Sequence, residues 1–275
     1  MTARHQDYFL GETNEETSRL YRMAQALTAD AEQLLERAGI GAGWRVVDVG
    51  CGPLGALDVL SARVGPGGRV VGLERAEAFV AAARAAVAAR ALDNVEIVQA
   101  DVHRNTLPPE SMDAAHERLV LIQAGDPPGV LDAMVRLVRP GGVVLAEEFD
   151  CGGWACHPAH PAWDTLLELF LEVATAGGAN VEFGRTLPGM LRAAGLTEVQ
   201  AVARVHTPAP GDYLRYHLLS LLDSVRETVL AQGRLTAPQW TELTTRLRAH
   251  LDDPATFLLG QPLVQAWGYK PLARP

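Results

Sequence analysis

Between Thr13 and Gly39 apolar residues recur at steps of three and four, so that Leu20, Met23, Ala24, Leu27, Ala31, Leu34, Leu35 and Ala38 fall on one face. Thr13, followed three positions later by Glu16, can exchange side-chain bonds with the free N–H groups of a helix start. One amphipathic helix ending near Gly39 is therefore expected. From Gly43 the rhythm changes to short β-branched runs separated by Ala- and Leu-rich stretches, the pattern of strand–helix–strand units feeding a parallel sheet. Strands are expected at 45–49, 70–74, 95–99, 112–118 and 143–148. Residues 77–91 place Phe79, Val80, Ala83 and Val87 on one side of an Ala-rich crossover helix. The Pro140-Gly141-Gly142 turn after Leu137 ends another helix and delivers the chain into the fifth strand.

Beyond Asp150 the alternation is lost, and 151–161 reads as a loop rich in Gly, Pro and His. Helices are expected at 162–174 and 186–194, then strands at 199–205 and 263–269, with two inserted helices at 212–232 and 237–251. The insertion and the N-terminal helix together could roof a pocket. The expected organisation is an N-terminal helical lid over 1–40, a cofactor-binding core over 41–150, and completion of the sheet with capping helices over 151–275.

The length of 275 residues allows one large core or a core with a subdomain. With 24 Lys+Arg against 33 Asp+Glu the net charge is −9, which disfavours nucleic acid and membrane surfaces as partners and favours small molecules; 234–248 is a local basic exception. Three cysteines, Cys51, Cys151 and Cys156, are too few for a disulfide scaffold, and the opening Met1-Thr2-Ala3-Arg4-His5-Gln6-Asp7 lacks the apolar core of a signal peptide. A cytoplasmic address is expected. The uncharged stretch 255–269 is broken by Gly260, Gln261 and Pro262 and is too short to span a bilayer.

The segment from Val46 to Gly55 runs a buried strand into a glycine turn at the start of a helix. Gly50, Gly52 and Gly55 match the G-x-G-x-x-G dinucleotide pattern, a weak signal alone. Three neighbours discriminate further. Asp48 sets a carboxylate beside the loop, better suited to a cationic amino-acid moiety than to a pyrophosphate. Glu74, at the end of the second strand, can accept from two ribose hydroxyls in either cofactor class. Asp101-Val102, beyond the third strand, can offer a side-chain acceptor to an adenine amine and a backbone donor to the ring.

In Asp48-Val49-Gly50-Cys51-Gly52, Glu74, Asp101-Val102 and Leu137-Val138-Arg139-Pro140-Gly141-Gly142 the chain resembles the class I S-adenosylmethionine-dependent methyltransferases. The resemblance is close over 40–150, and the ending around Leu263–Tyr269 looks like that fold's last strand. Tyr8-Phe9-Leu10-Gly11 and Arg118-Leu119-Val120-Leu121 further resemble a bacterial branch acting on small molecules, many of them natural products. The family's third loop glycine normally falls where this chain has Leu54, with Gly55 one position later.

The resemblance implies an α/β fold: a Rossmann-like, doubly wound, seven-stranded sheet, mostly parallel with an antiparallel last strand, plus an α-helical cap. It implies S-adenosyl-L-methionine as cofactor, S-adenosyl-L-homocysteine as product, and contacts from Asp48, Gly50, Cys51, Gly52, Glu74, Arg75, Asp101, Val102 and Arg118, with Tyr21 from the lid. Tyr8, Phe149 and Tyr213 are expected at the acceptor.

Two catalytic candidates follow from position: Glu147, at the end of the fifth strand, and His217, four residues after Tyr213 on a roof helix. Glu147 and its neighbour Glu148 must face opposite ways, so at most one can face a pocket. Each singled-out residue also has an ordinary reading, in which Asp48 and Glu74 cap helices or pair with Arg45 and Arg75, and the tyrosines and His217 pack. Cys151, Cys156, His157 and His160 match no common zinc spacing, so no metal is expected. The expected activity is in-line methyl transfer to a cyclic or aromatic natural product. An NAD-dependent oxidoreductase, or an enzyme of the same fold that retains the cofactor without methylating, are the alternatives, and a homodimer stays open as the assembly.

Overall fold

A computed structural model describes Tyr8 and residues 10–272; Met1–Asp7, Phe9 and residues 273–275, and the expectations resting on them, lie outside the described residues. Seven strands form one sheet: β1 (Arg45–Val49), β2 (Arg69–Glu74), β3 (Val95–Gln99), β4 (Met112–Arg118), β5 (Val138–Phe149), then the later pair β7 (Thr197–Arg204) and β9 (Leu263–Tyr269). Their order is β3-β2-β1-β4-β5-β9-β7, with β1 to β5 mutually parallel and β9 antiparallel to both of its neighbours. This is the doubly wound sheet with an antiparallel last strand that the family resemblance implies. The order reverses between β1 and β4, the point at which such sheets open a crevice beyond the strand ends.

The near-continuous apolar runs of β1 and β2 are explained by cover on both faces. One face packs Val46, Val70, Ala114 and Leu145 under α2 (Thr28–Arg37), α3 (Leu57–Val64) and α4 (Glu77–Ala89). The other packs Val47, Val71, Ala115 and Val144 under α5 (Pro127–Leu137) and α7 (Leu187–Ala193).

The single N-terminal helix expected over 13–39 is two. Thr13 caps α1 (Asn14–Ala26), its side chain accepting from the Glu16 N–H at 3.1 Å, but α1 ends at the fully buried Leu27 and the chain re-enters as α2. The apolar periodicity is continuous because both halves bury that stripe, against different things. Met23 and Leu27 meet Phe149 and Leu263, while Ala31, Leu34 and Leu35 join the core over α3. The Thr28 hydroxyl, donating back to the Ala24 carbonyl at 3.2 Å, marks the bend.

Two further differences concern the second half. Pro140-Gly141-Gly142 lies inside β5, where Met112 pairs with Val138 and Ala114 with Val143, so the expected turn is a bulge within one long strand, with Gly141 at φ 76°. The expected loop over 151–161 contains β6 (Ala155–His157), paired antiparallel with β8 (Phe257–Leu259). Three residues each are too short for the period-2 pattern to register.

The cap has its own core. α6 (Pro161–Ala176), α8 (His217–Ala231) and α9 (Ala237–Asp252) bury Trp163, Leu166, Phe170, Leu218, Leu222, Val225, Trp240 and Leu247 together. The expected start of α8 at Asp212 is instead a 3-10 turn over Tyr213–Tyr216. No helix among the described residues is long and apolar enough to cross a membrane.

Candidate functional site

The loop after β1 leans onto β2, where the Gly50 and Cys51 N–H groups both donate to the Leu73 carbonyl at 2.7 and 3.1 Å. Gly50 adopts φ 65°, and a Cβ there would lie 2.5 Å from Val120 Cγ2. Gly55, at φ 52°, would place one 2.5 Å from the Cys51 carbonyl oxygen and 2.9 Å from Asp48 Oδ2. The late third glycine is thus the one that closes the loop over Asp48, while Leu54 is buried in the core beneath. The Cys51 thiol packs into that core, its pKa pushed well up by burial, so the residue offers a site only its backbone.

Glu74 gathers the loop from the neighbouring strand end. Its Oε2 accepts from the Gly52 N–H at 3.0 Å, and its Oε1 from the Arg75 and Ala76 N–H groups at 2.7 and 2.9 Å. Burial raises its pKa, and these three donors oppose the rise. Arg118 reaches the opposite edge, where Nη2 donates to the Gly55 carbonyl and Nη1 is buried without a partner. Asp101 caps the turn at Val102–Arg104, accepting from the His103 N–H at 2.9 Å.

Beneath the loop runs a buried polar belt that no motif announced. Asp48, 2% exposed, accepts from the Ala56 N–H on Oδ2 at 3.4 Å and meets His116 Nδ1 on Oδ1 at 2.7 Å. The far ring nitrogen, Nε2, lies 2.9 Å from Glu147 Oε1, and Gln265 donates to Glu147 Oε2 at 2.7 Å and to the Asp30 carbonyl at 2.9 Å. The sheet order β1-β4-β5-β9 makes this line possible, since the four side chains point to the same face of adjacent strands. Burial alone would lower the pKa of His116, but hydrogen bonds to two carboxylates raise it to about 9, and the imidazolium in turn lowers that of Glu147. Asp48 therefore holds the loop and a buried cation instead of facing a ligand, and both Glu147 oxygens are engaged.

On the opposite face Glu117 and Glu148 sit side by side, both fully buried. Desolvation and mutual repulsion push the pKa of Glu117 well up, and burial lifts that of Glu148 to about 8, so the pair holds at least one proton at neutral pH. They hold the segment after β4, with Glu117 Oε2 accepting from the Val120 N–H at 3.1 Å and Glu148 Oε1 from the Ile122 N–H at 3.0 Å. Neither carboxylate of the Glu147-Glu148 pair opens onto a pocket.

In the cap, His217 is buried against the rings of Phe149, Trp154 and Tyr213, with centroids 5.6, 5.7 and 5.9 Å away. Desolvation and the nearby charge of Arg19 lower its pKa to about 3, so the imidazole is neutral. Tyr8 donates to Glu16 Oε1 at 2.6 Å and sets its ring edge-on to Phe79 at 5.8 Å. Arg19 forks onto the same carboxylate at 2.6 and 2.8 Å, and Ser224 of α8 donates to it at 2.9 Å. Tyr213 approaches the Arg19 carbonyl at 3.5 Å. Tyr21 is turned toward α4, donating to the Ala82 carbonyl at 3.2 Å, with the Arg90 guanidinium 5.9 Å from its ring.

The structure thus brings Gly50, Cys51, Gly52, Glu74 and Arg118 around one loop, and Phe149, Tyr213 and His217 into one aromatic cluster. The four Cys and His residues of 151–160 take separate parts: Cys151 accepts from Gln261, and His160 caps α6 and stacks on His250 at 4.5 Å. Sequence reasoning missed His116, Gln265, Gln261 and Trp154, which lie on strands or short loops without a spacing that marks them.

A doubly wound sheet with a glycine loop at the switch point, an acid at the end of the second strand and a half-buried arginine beside the loop defines an adenosyl-cofactor-binding type of domain. Residues 40–180, half of the chain, match the family model described as a methyltransferase domain. The chain belongs to this family, the class I S-adenosylmethionine-dependent methyltransferase domains.

Among its relatives, nocamycin O-methyltransferase of Saccharothrix syringae is 36% identical over 112 residues, covering 41% of this chain and 40% of that one. Matched segments span 39% to 50% of the first such relatives' own length. In fold, phosphoethanolamine N-methyltransferase 2 of Haemonchus contortus, solved with S-adenosyl-L-methionine, aligns with a TM-score of 0.59 at 16% identity over 98% of this chain and 58% of that chain. The [4+2]-cyclase SpnF aligns at 0.55 and 19% identity over 90% and 83%. The fold therefore hosts more than one reaction.

Proposed function

We propose that the protein transfers a methyl group from S-adenosyl-L-methionine to a small, cyclic or aromatic acceptor in the cytoplasm, as part of natural-product metabolism. The observation that carries the reading is the loop itself, whose glycine conformations bring backbone N–H groups to the strand ends between an acid, Glu74, and an arginine with an unpartnered nitrogen, Arg118. Those residues fit the cofactor. The Glu74 carboxylate suits a ribose diol, the free Arg118 Nη1 a carboxylate, and Asp101 with the Val102 N–H an adenine edge, with Cys51 and Gly52 contributing backbone only. Arg75 follows Glu74 at the strand end, and Tyr21, turned toward α4, is kept as a contact from the lid in this reading.

The cofactor supplies an electrophilic methyl whose leaving group departs as a neutral sulfide, so the protein's part is alignment and exclusion of water. In this reading the belt beneath the loop, Asp48, His116 and Glu147, holds the loop in shape, and Glu147 acts by positioning instead of as a base. Tyr8, Phe149 and Tyr213 form the dry side that receives the acceptor, and His217, kept neutral by burial and the charge of Arg19, orients it as a hydrogen-bonding ring instead of as a base. The belt under the loop, two carboxylates against one imidazolium, keeps a net negative charge that disfavours a pyrophosphate, which argues against the oxidoreductase reading. The relative named for O-methylation in nocamycin supports a natural-product acceptor.

Calorimetric titration tests it. S-adenosylhomocysteine should bind and NADH should not, and Glu74→Ala should weaken S-adenosylhomocysteine by about tenfold or more, the usual cost of hydrogen bonds to a charged group. Binding of NADH alone overturns the reading; binding of the cofactor without its turnover across an acceptor screen favours a non-methylating enzyme.

A further inference from the structure

Glu117 and Glu148 are buried acids to which the proposed chemistry gives no part, although they stand beside the cofactor loop. Glu117 pairs in register with Val49, the residue that leads into Gly50, and Glu148 reaches it from β5. Two acids buried side by side oppose folding unless they keep a proton, and these two are hydrogen-bonded to each other. Their other oxygens hold the chain beyond β4, Glu117 Oε2 accepting from the Val120 N–H at 3.1 Å and Glu148 Oε1 from the Ile122 N–H at 3.0 Å.

That segment is strained. Leu119 is a branched residue at φ 59°, in the left-handed region that favours glycine. Its N–H donates to the Glu147 carbonyl at 2.9 Å, and its carbonyl accepts from Gln123 Nε2 at 3.0 Å. A turn of this kind persists only where its surroundings over-determine it, and the two acids supply that hold at the following residues. The turn then faces two ways. Val120 fills the space that a Cβ would take at Gly50, its Cγ2 lying 2.5 Å from that position. Leu119 packs against the cluster of Met23, Leu27, Phe149 and Leu263 on the other side.

We infer that Glu117 and Glu148 are positioning residues for cofactor binding: clasped together, they hold Val120 against Gly50 and so fix one wall of the glycine loop. Fully buried, they act through Val120 and Ile122 and not by touching a ligand. The inference rests on the cofactor reading of that loop.

Calorimetric titration of S-adenosylhomocysteine at pH 7 into folded wild type, Glu117→Gln, Glu117→Leu and Val120→Ala tests it. Glu117→Gln keeps an acceptor for the Val120 N–H and a donor for Glu148, so affinity should stay within about twofold of wild type. Glu117→Leu removes both and should weaken binding about tenfold. Val120→Ala leaves both acids in place, shortens the wall, and should weaken binding about threefold. In amide NMR spectra without ligand, the Gly50 and Gly52 signals should move in Glu117→Leu and Val120→Ala and keep their places in Glu117→Gln. A merely structural role would lower stability and leave both the affinity and these signals of the folded protein unchanged. Wild-type affinity in folded Glu117→Leu or in Val120→Ala, or equal losses in Glu117→Gln and Glu117→Leu, overturns the inference. If Glu117→Leu does not fold, Glu148→Leu, which frees the Ile122 N–H, stands in for it. Failure of S-adenosylhomocysteine to bind the wild type overturns the cofactor reading and the inference with it, whereas unchanged affinities among the variants overturn the inference alone.

Discussion

His116 is the residue on which the site's electrostatics turn. An imidazolium between two carboxylates, all buried, is tolerated only because each partner is further satisfied, Asp48 by the Ala56 N–H and Glu147 by Gln265. Replacing it by His116→Gln leaves two carboxylates facing each other without a cation. That should cost about 3–5 kcal/mol, the usual consequence of removing one partner of a buried pair, read by urea unfolding at pH 7. The pH dependence gives a second readout. The folded pKa of about 9 lies above the ordinary histidine value, so the folded state holds its proton longer, and the stabilisation is complete below about pH 6.5 and lost as pH rises through about 9. Wild-type stability should therefore fall across that window, and the variant should lack that component of the fall. A variant as stable as the wild type at pH 7 would show that the belt contributes nothing.

The strand ends and the segment after β4 form the next level, and here the Glu117–Glu148 pair is the active part. Both pKa values are raised, so the folded state binds more protons than the unfolded chain above about pH 4.5, and stability from this pair declines from there through about pH 8. Glu117→Gln mimics the protonated partner, retaining an acceptor for the Val120 N–H and offering an N–H to Glu148. It should flatten the decline and stabilise the protein at pH 8 by about 1 kcal/mol or more, measured by unfolding at pH 5 and 8; an unchanged slope would mean the two carboxyls are independent.

At this same level the sequence was most and least informative. The strands and crossover helices were legible because parallel strands covered on both faces leave dense β-branched runs, and the glycine loop because its conformations demand glycine. The belt was not legible, since His116 and Gln265 are 149 residues apart in the chain and meet only through the strand order. For the same reason Glu147 reads from sequence as a pocket acid, although its oxygens belong to His116 and Gln265. The break at Leu27 was hidden because both helices bury one continuous stripe.

At the scale of the molecule, the apolar interior is divided between the two faces of the sheet and a separate cluster within the cap. In the proposed reading cofactor binding is drawn from the loop at the sheet and acceptor binding from the junction with the cap, so the two should be separable by a substitution placed in one core alone. Leu222, fully buried on α8 within the cap cluster, is such a position. Leu222→Ala should cost about 2–5 kcal/mol, as for other buried leucines. If the cap opens as its own unit, amide exchange should rise over α8 and α9 while β1, β2, β4 and β5 keep their protection. S-adenosylhomocysteine affinity should then change by less than about threefold, because a local opening of the cap leaves the binding-competent sheet populated. Exchange rising equally in the sheet and the cap would instead mean that the clasp of Glu16 with Arg19 and Ser224, and the long β5 that leads to Phe149, join both parts into one cooperative unit. In that event cofactor affinity should fall together with stability, and acceptor binding could not be altered in the cap without cost to the loop.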